Sequence, residues 1–88
     1  MKQQGVGIIG LGPVGSILGA YLARSGLKVY GVELDKARAQ QINAGGLRIR
    51  GFAELEEKPE HCFTSLRELS EIEDLAAVFL CTKTWALP

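Results

Sequence analysis

Three glycines near the start of the chain have the spacing that lets a backbone approach a phosphate. The first of them ends an apolar run, residues 6–10, and the three have the spacing Gly10-x-Gly12-x-x-Gly15. We interpret the run as a buried strand that turns sharply into a helix, whose N terminus would hold a dinucleotide's pyrophosphate. A glycine-rich turn without a ligand is the alternative. The predicted contacts are Gly10, Leu11, Gly12, Pro13, Val14 and Gly15.

A carboxylate follows at the distance where such sites hold a ribose. Glu33 lies 23 residues after Gly10, at the end of the second predicted strand. It could accept hydrogen bonds from both ribose hydroxyls of NAD and would repel the 2′-phosphate of NADP, so it favours NAD. The alternatives are a solvated acid at a strand end, or a compensating cation supplied by Lys36 or Arg38 on the next helix.

Thr82 and Lys83 stand at the end of the last apolar run, residues 76–82. In a doubly wound sheet, ligands bind outside the carboxyl ends of the strands. We therefore expect the glycine turn, Glu33, Thr82 and Lys83 to converge on one crevice. Lys83 would meet a cofactor phosphate, the ribose or an acidic substrate there; an ordinary surface lysine is the alternative.

The elements that would position these residues follow from hydrophobic spacing and capping residues. We predict a strand over 6–10, a helix over 13–25, a strand over 28–33, a helix over 36–44 capped by Asp35, and a buried strand over 76–82. This order predicts an α/β fold with a Rossmann-like βαβαβ parallel sheet.

The stretch between the second helix and the last strand is less regular. Residues 47–50 alternate apolar and basic side chains, which predicts a short half-exposed strand. Residues 53–60 are polar and contain a proline, which predicts a loop or an edge excursion. A short strand over 62–64 and a brief helix capped by Ser65 follow. We expect the 88 residues to form one N-terminal dinucleotide-binding domain, truncated before later strands and a C-terminal helical domain.

Composition excludes several classes of function. Ten basic residues balance ten acidic ones, so the chain lacks the positive charge typical of proteins that bind nucleic acid or anionic membranes. No stretch approaches ~20 apolar residues, so no transmembrane helix is predicted. Cys62 and Cys81 lack metal-binding spacing, and we interpret them as reduced thiols of a cytoplasmic protein.

Three stretches resemble the N-terminal portion of the ketopantoate reductases (2-dehydropantoate 2-reductases). Residues 10–26 are close to the family's glycine-rich opening, and residues 46–49 (G-L-R-I) match its G-L-x-I after the second helix. Residues 80–85 (L-C-T-K-T-W) are similar to its strand that ends in a lysine followed by a small and an aromatic residue. Many dehydrogenases share the first stretch, whereas the other two at these spacings are more specific.

The resemblance implies NADP-dependent reduction of a small 2-keto acid, ketopantoate, to pantoate, a step toward pantothenate and coenzyme A. It implies that Lys83 matches a family lysine beside cofactor and substrate. The family's second lysine, asparagine and glutamate come later in the chain, so no catalytic residue is assigned here. The family usually places a basic residue where this chain has Leu34. NADP is therefore implied by the resemblance, NAD is favoured by Glu33, and a homo-oligomer is compatible with both.

Two other functions stay open. A related NAD-dependent hydroxy-acid or prephenate-type dehydrogenase shares the G-L-G-x-x-G opening but fits residues 46–49 and Lys83 less well. A non-catalytic NAD-binding module needs only the glycine turn and Glu33. The later part of the polypeptide would decide, since a helical domain that carries lysine, asparagine and glutamate indicates an enzyme.

Overall fold

Four parallel strands form the centre of the fold, and their order across the sheet is His61–Phe63, Lys28–Val32, Gly5–Ile9 and Leu75–Leu80. The computed structural model describes residues 4–49 and 55–81. The elements are β1 Gly5–Ile9, α1 Pro13–Arg24, β2 Lys28–Val32, α2 Lys36–Gly45, β3 Leu47–Ile49, β4 Leu55–Glu57, β5 His61–Phe63, α3 Leu66–Ser70 and β6 Leu75–Leu80. The predicted βαβαβ parallel sheet, a Rossmann-like α/β fold, is confirmed.

Consecutive residues of β1 pack against helices on opposite faces of the sheet. A Cβ added at Gly7 would lie 3.1 Å from Leu69 of α3, whereas Ile8 Cδ1 would lie 3.2 Å from a Cβ added at Gly19 of α1. Side chains of a strand alternate in this way, so α1 and α3 cover different faces. The main core lies on the α1 face; it comprises Val6, Ile8, Leu11, Ala20, Val29, Ala39, Ile42, Leu47 and Cys62.

Both predicted N-caps are confirmed. Asp35 Oδ1 accepts from the backbone N–H groups of Ala37 at 3.0 Å and Arg38 at 3.2 Å, which fixes the start of α2. Ser65 Oγ accepts from the backbone N–H of Glu68 at 3.3 Å and starts α3. Because α2 begins at its predicted residue, Glu33 and Arg38 are placed on either side of a fixed cap.

The polar stretch predicted as a loop contains a strand. Residues 55–57 form β4, which pairs antiparallel with β3, so of the two predicted alternatives, a loop or an edge excursion, the loop is wrong for these three residues. Leu47 of β3 is buried against Gly19 of α1, while Arg48 and Glu56 form a cross-strand ion pair at 3.6 Å. A strand with one solvated face carries charged residues, and in the sequence such a composition is difficult to distinguish from that of a loop.

The last strand is parallel, as predicted, but the expectation that it is buried is wrong. β6 pairs with β1 on one side, and within the described residues no strand pairs with its other side. Leu80 is 60% exposed and Val78 51% exposed. The five-residue α3 packs on the neighbouring strand at Gly7 and leaves most of β6 uncovered. In the part of the chain that the structure describes, no helix has the length and apolarity needed to span a bilayer.

Candidate functional site

Backbone hydrogen bonds align the carboxyl ends of all four parallel strands. The Gly10 N–H donates to the Val32 carbonyl at 3.0 Å, and the Glu33 N–H donates to the Phe63 carbonyl at 2.8 Å. The Cys81 N–H donates to the carbonyl of Ile9 at 2.8 Å. The turn after β1, the end of β2 and the end of β6 therefore share one edge of the sheet.

The turn between β1 and α1 depends on two glycines for different reasons. Gly10 has φ of +93°, a backbone conformation that L side chains rarely adopt. Gly15 is buried, and a Cβ there would collide with the Gly10 carbonyl oxygen and lie 3.3 Å from Cys81 Cβ. The chain can thus reverse and return against its own turn only where these positions lack side chains.

The N terminus of α1 faces open space at Gly12. A Cβ added at this N-cap residue would have no heavy atom within 4 Å, and no side chain caps the helix. Pro13 occupies the first turn, and Val14 beside it is 68% exposed. The first turn of a helix carries N–H groups without intrahelical partners and a partial positive charge, both of which suit an anion.

Leu11 anchors the turn through both its side chain and its carbonyl group. The side chain is buried above Gly31, where Leu11 Cδ1 would lie 2.5 Å from an added Cβ. The carbonyl oxygen accepts from Ser16 Oγ at 3.0 Å and from Arg38 Nη2 at 2.6 Å. Since its side chain is in the core, any contact of Leu11 with a ligand would come from its backbone.

Glu33 lies where the sequence predicts it, at the end of β2, but its carboxylate already has partners. Oε2 accepts from the Asp35 N–H at 3.1 Å, and Oε1 lies 3.3 Å from Arg38 Nε. The side chain is 17% exposed. The predicted preference for NAD assumed a carboxylate open to the ribose, so these contacts remove its main support, and the preference stays a prediction.

Arg38 joins the two parts of the site. Its guanidinium contacts Leu11 in the glycine turn and Glu33 at the end of β2. It also lines, with Ser16 and Gln41, a cleft of about 560 Å³ that runs to Gly46 and Arg48. The sequence indicated Arg38 only as a nearby cation; its contact with Leu11 spans 27 residues, and no spacing rule predicts such a pair.

The outer edge of the sheet holds a buried thiol that sequence reasoning left without a role. Asn43 fixes Cys62 by donating from Nδ2 to its carbonyl at 2.9 Å and accepting its N–H through Oδ1 at 2.8 Å. Burial, reinforced by the Glu33 carboxylate and partly offset by Arg38, raises the pKa of the Cys62 thiol to about 11. The thiol therefore stays protonated at neutral pH, which argues against a nucleophilic role.

The predicted site residues fall into two groups. The structure brings Gly10, Leu11, Gly12, Pro13, Val14, Gly15 and Glu33 to one edge of the sheet. Thr82 and Lys83 lie outside the described residues, although Cys81, which precedes them, is hydrogen-bonded to β1 at the same edge. Among the described residues, no group of three or more His, Cys, Asp or Glu side chains could hold a metal ion.

Comparisons with known proteins identify a family. A protein-family model described as "Ketopantoate reductase PanE/ApbA" matches residues 6–88. The crystal structure of 2-dehydropantoate 2-reductase from Methylococcus capsulatus is similar, with a TM-score of 0.74 and 29% sequence identity over 91% of this chain. The match covers 25% of that reductase, so the chain spans about a quarter of its length. No curated protein matches the chain significantly.

Proposed function

We propose that this chain, which belongs to the ketopantoate reductase family, supplies the NADP(H)-binding part of a 2-keto acid reductase. The proposed substrate is ketopantoate (2-dehydropantoate), the keto acid after which the similar Methylococcus capsulatus reductase is named. The observation that supports the proposal most directly is the open, uncapped N terminus of α1 at Gly12. It lies at the carboxyl edge of a parallel sheet, where this class of fold binds dinucleotides.

The residues present fit a dinucleotide. The space above Gly12 would admit a pyrophosphate, and the first turn of α1 would donate backbone N–H groups to it. The end of β2, next to the turn through the Gly10–Val32 hydrogen bond, would receive the adenine-side ribose. When bound, the reduced nicotinamide supplies a hydride to the keto carbon. The chain's own contribution is to bind the cofactor and orient it along this edge.

Lys83 is proposed to lie beside the cofactor and the anionic substrate, as the family resemblance implies. Its support is the position of Cys81, two residues earlier, whose N–H donates to Ile9 at the end of β1. A chain that leaves β6 at this point starts from the same edge as the glycine turn. A lysine ammonium there would hold the carboxylate of a 2-keto acid near the reacting carbon.

Binding of NADPH by the chain tests the proposal. We expect the fluorescence of the reduced nicotinamide to change on titration and to saturate with one cofactor per chain. ADP-ribose, which lacks the nicotinamide, should displace NADPH because the described residues proposed for the site would all contact its adenosine and pyrophosphate side. A chain with a folded circular dichroism spectrum that binds neither compound would contradict the proposal.

The substrate is tested separately with a chimera. This chain would replace the matching N-terminal quarter of the Methylococcus capsulatus reductase, and oxidation of NADPH would be followed with ketopantoate. We expect turnover that depends on ketopantoate, and its loss in the Lys83→Ala variant of the chimera. A chimera that binds NADPH but reduces only other 2-keto acids would retain the cofactor function and overturn the substrate.

A further inference from the structure

We propose that Arg38, on α2, recognises the 2′-phosphate of NADP and that Glu33 holds this arginine ready beside the glycine turn. The inference rests on the proposed function and deepens it, because it assigns the choice between two cofactors to one ion pair. It also reverses the expected effect of Glu33, whose carboxylate by itself favours NAD.

Two contacts fix the position of the Arg38 guanidinium. Arg38 Nη2 donates to the Leu11 carbonyl at 2.6 Å, and Nε lies 3.3 Å from Glu33 Oε1. The first contact is in the turn that would hold the pyrophosphate, and the second is at the strand end that would hold the ribose. The guanidinium therefore lies between the two places that bracket a ribose 2′-position.

The guanidinium of Arg38 keeps N–H donors that the contacts with described residues do not use. Arginine has five N–H groups in a planar fork, and the contacts with described residues use Nε and one Nη2 proton. The side chain is 47% exposed, so donors on Nη1 and Nη2 can reach a ligand in solvent. A planar fork matches the oxygens of a phosphate, with which it forms short, charge-assisted hydrogen bonds.

The neighbouring residues exclude two other sources of positive charge. Leu34, which follows Glu33 at the end of β2, has a hydrocarbon side chain that is 76% exposed and carries no charge. Lys36 lines the groove between α2 and β5, with Asn43 and Cys62, whereas Arg38 lines the cleft with Ser16 of α1. The hydrogen bond from Arg38 to the Leu11 carbonyl joins that side chain to the glycine turn.

Glu33 has two effects that can be separated by mutation. Its ion pair with Arg38 orients the guanidinium, and its charge opposes the arrival of a dianionic phosphate. With Arg38 present, the pair is close to neutral and the phosphate meets the exposed donors. Without Arg38, the carboxylate is left to repel the phosphate and to accept hydrogen bonds from a free 2′-hydroxyl.

The test compares two ligands that differ only in the phosphate. Isothermal titration calorimetry would measure ADP-ribose and 2′-phospho-ADP-ribose binding to the full chain and to the variants Arg38→Gln, Arg38→Lys, Glu33→Gln and Lys36→Gln. We expect Arg38→Gln to weaken the phosphorylated ligand about 10- to 100-fold and to change ADP-ribose less than about threefold. Arg38→Lys should restore part of the loss. Glu33→Gln keeps an oxygen that can accept from the guanidinium and removes the negative charge, so it should strengthen the phosphorylated ligand severalfold.

Each other outcome overturns the inference. Equal losses for both ligands in Arg38→Gln would mean that the arginine only holds the turn. A larger discriminating effect of Lys36→Gln would assign the phosphate to that lysine. Wild-type chain that binds ADP-ribose but not its phosphorylated form would retain a dinucleotide function and reject NADP recognition. Wild-type chain that binds neither would reject the proposed function as well.

Discussion

The glycine turn and the end of β2 are joined by the Gly10–Val32 hydrogen bond, yet they are held in different ways. The path of the turn depends on positions that lack side chains: Gly15 leaves room for the Gly10 carbonyl, and the helix end at Gly12 carries no side-chain cap. The end of β2 is made of side chains, since Glu33 receives the Asp35 N–H and the Arg38 guanidinium. The first region is fixed by shape and the second by charge.

This difference separates two properties of the proposed cofactor site. A turn that packs against itself has one conformation, and at the proposed site it would accept any pyrophosphate. A partly exposed ion pair has several low-energy arrangements, so its partners can be exchanged for a ligand at small cost. We infer that the turn determines whether a dinucleotide binds, while the end of β2 determines which one.

The largest effect is expected for Gly15→Ala, a change in the backbone region. The added methyl would collide with the Gly10 carbonyl oxygen, which is backbone and cannot move without opening the turn. Alanine would otherwise gain about 1 kcal/mol of helix propensity at this position. We expect a net loss of about 3 kcal/mol or more in the free energy of unfolding, measured by urea denaturation. A variant as stable as wild type would contradict the close packing of α1 on the turn.

Gly12→Val should affect binding more than folding, although it changes the same motif. The new side chain would enter open space, and the φ of −74° at this position suits any residue. Stability should fall by about 1 kcal/mol at most, through the poorer N-cap. Affinity for NADPH and NADH should both fall about 100-fold, because the side chain occupies the space above the helix N terminus.

The control for this prediction is Gly12→Ala, which adds the smallest side chain at the same place. We expect an intermediate loss of affinity with nearly unchanged stability. Unchanged affinity in the valine variant, measured by fluorescence titration, would argue against the pyrophosphate at this turn. Taken with Gly15→Ala, the pair distinguishes a glycine that closes the turn from one that leaves room for a ligand.

How much the sequence predicts follows the same division. A tight turn or the start of a helix needs a particular residue type at one position, and the sequence shows that residue directly. Gly10, Gly15 and the N-caps Asp35 and Ser65 are therefore placed correctly. Requirements on side chains depend on distant neighbours. The Arg38–Leu11 hydrogen bond and the Asn43–Cys62 pair link residues 27 and 19 positions apart, and no local pattern indicates either.

Two incorrect predictions concern strands of the fold and not the proposed site. The strand β4 has a solvated face whose charges are typical of a loop, and it is defined only by its pairing with β3. The apolar run of β6 predicts burial because parallel strands are usually covered on both faces. Its exposure depends on which elements pack beside it, and a strand's own residues do not contain that information.

The smallest predicted effect is a pH dependence confined to the charged region. The thiol of Cys62 has its pKa raised from 9.0 to about 11 by burial and by the Glu33 carboxylate. In the unfolded chain it ionises near its ordinary pKa, while in the folded chain it stays protonated, so the unfolded state binds fewer protons in this interval. Its contribution to stability is complete below pH 9.0 and is lost as pH rises to about 11.

We therefore expect urea denaturation to show a loss of about 2 kcal/mol between these pH values that is attributable to Cys62. The matched control is Cys62→Ala, which removes the thiol and leaves every other titratable group in place, so the slope of stability against pH should be shallower. Glu33→Gln should make the loss smaller and end it at a lower pH, because the carboxylate is the second cause of the raised pKa. Identical slopes in wild type and Cys62→Ala would mean that burial and the neighbouring Glu33 carboxylate do not hold the thiol protonated in the folded chain.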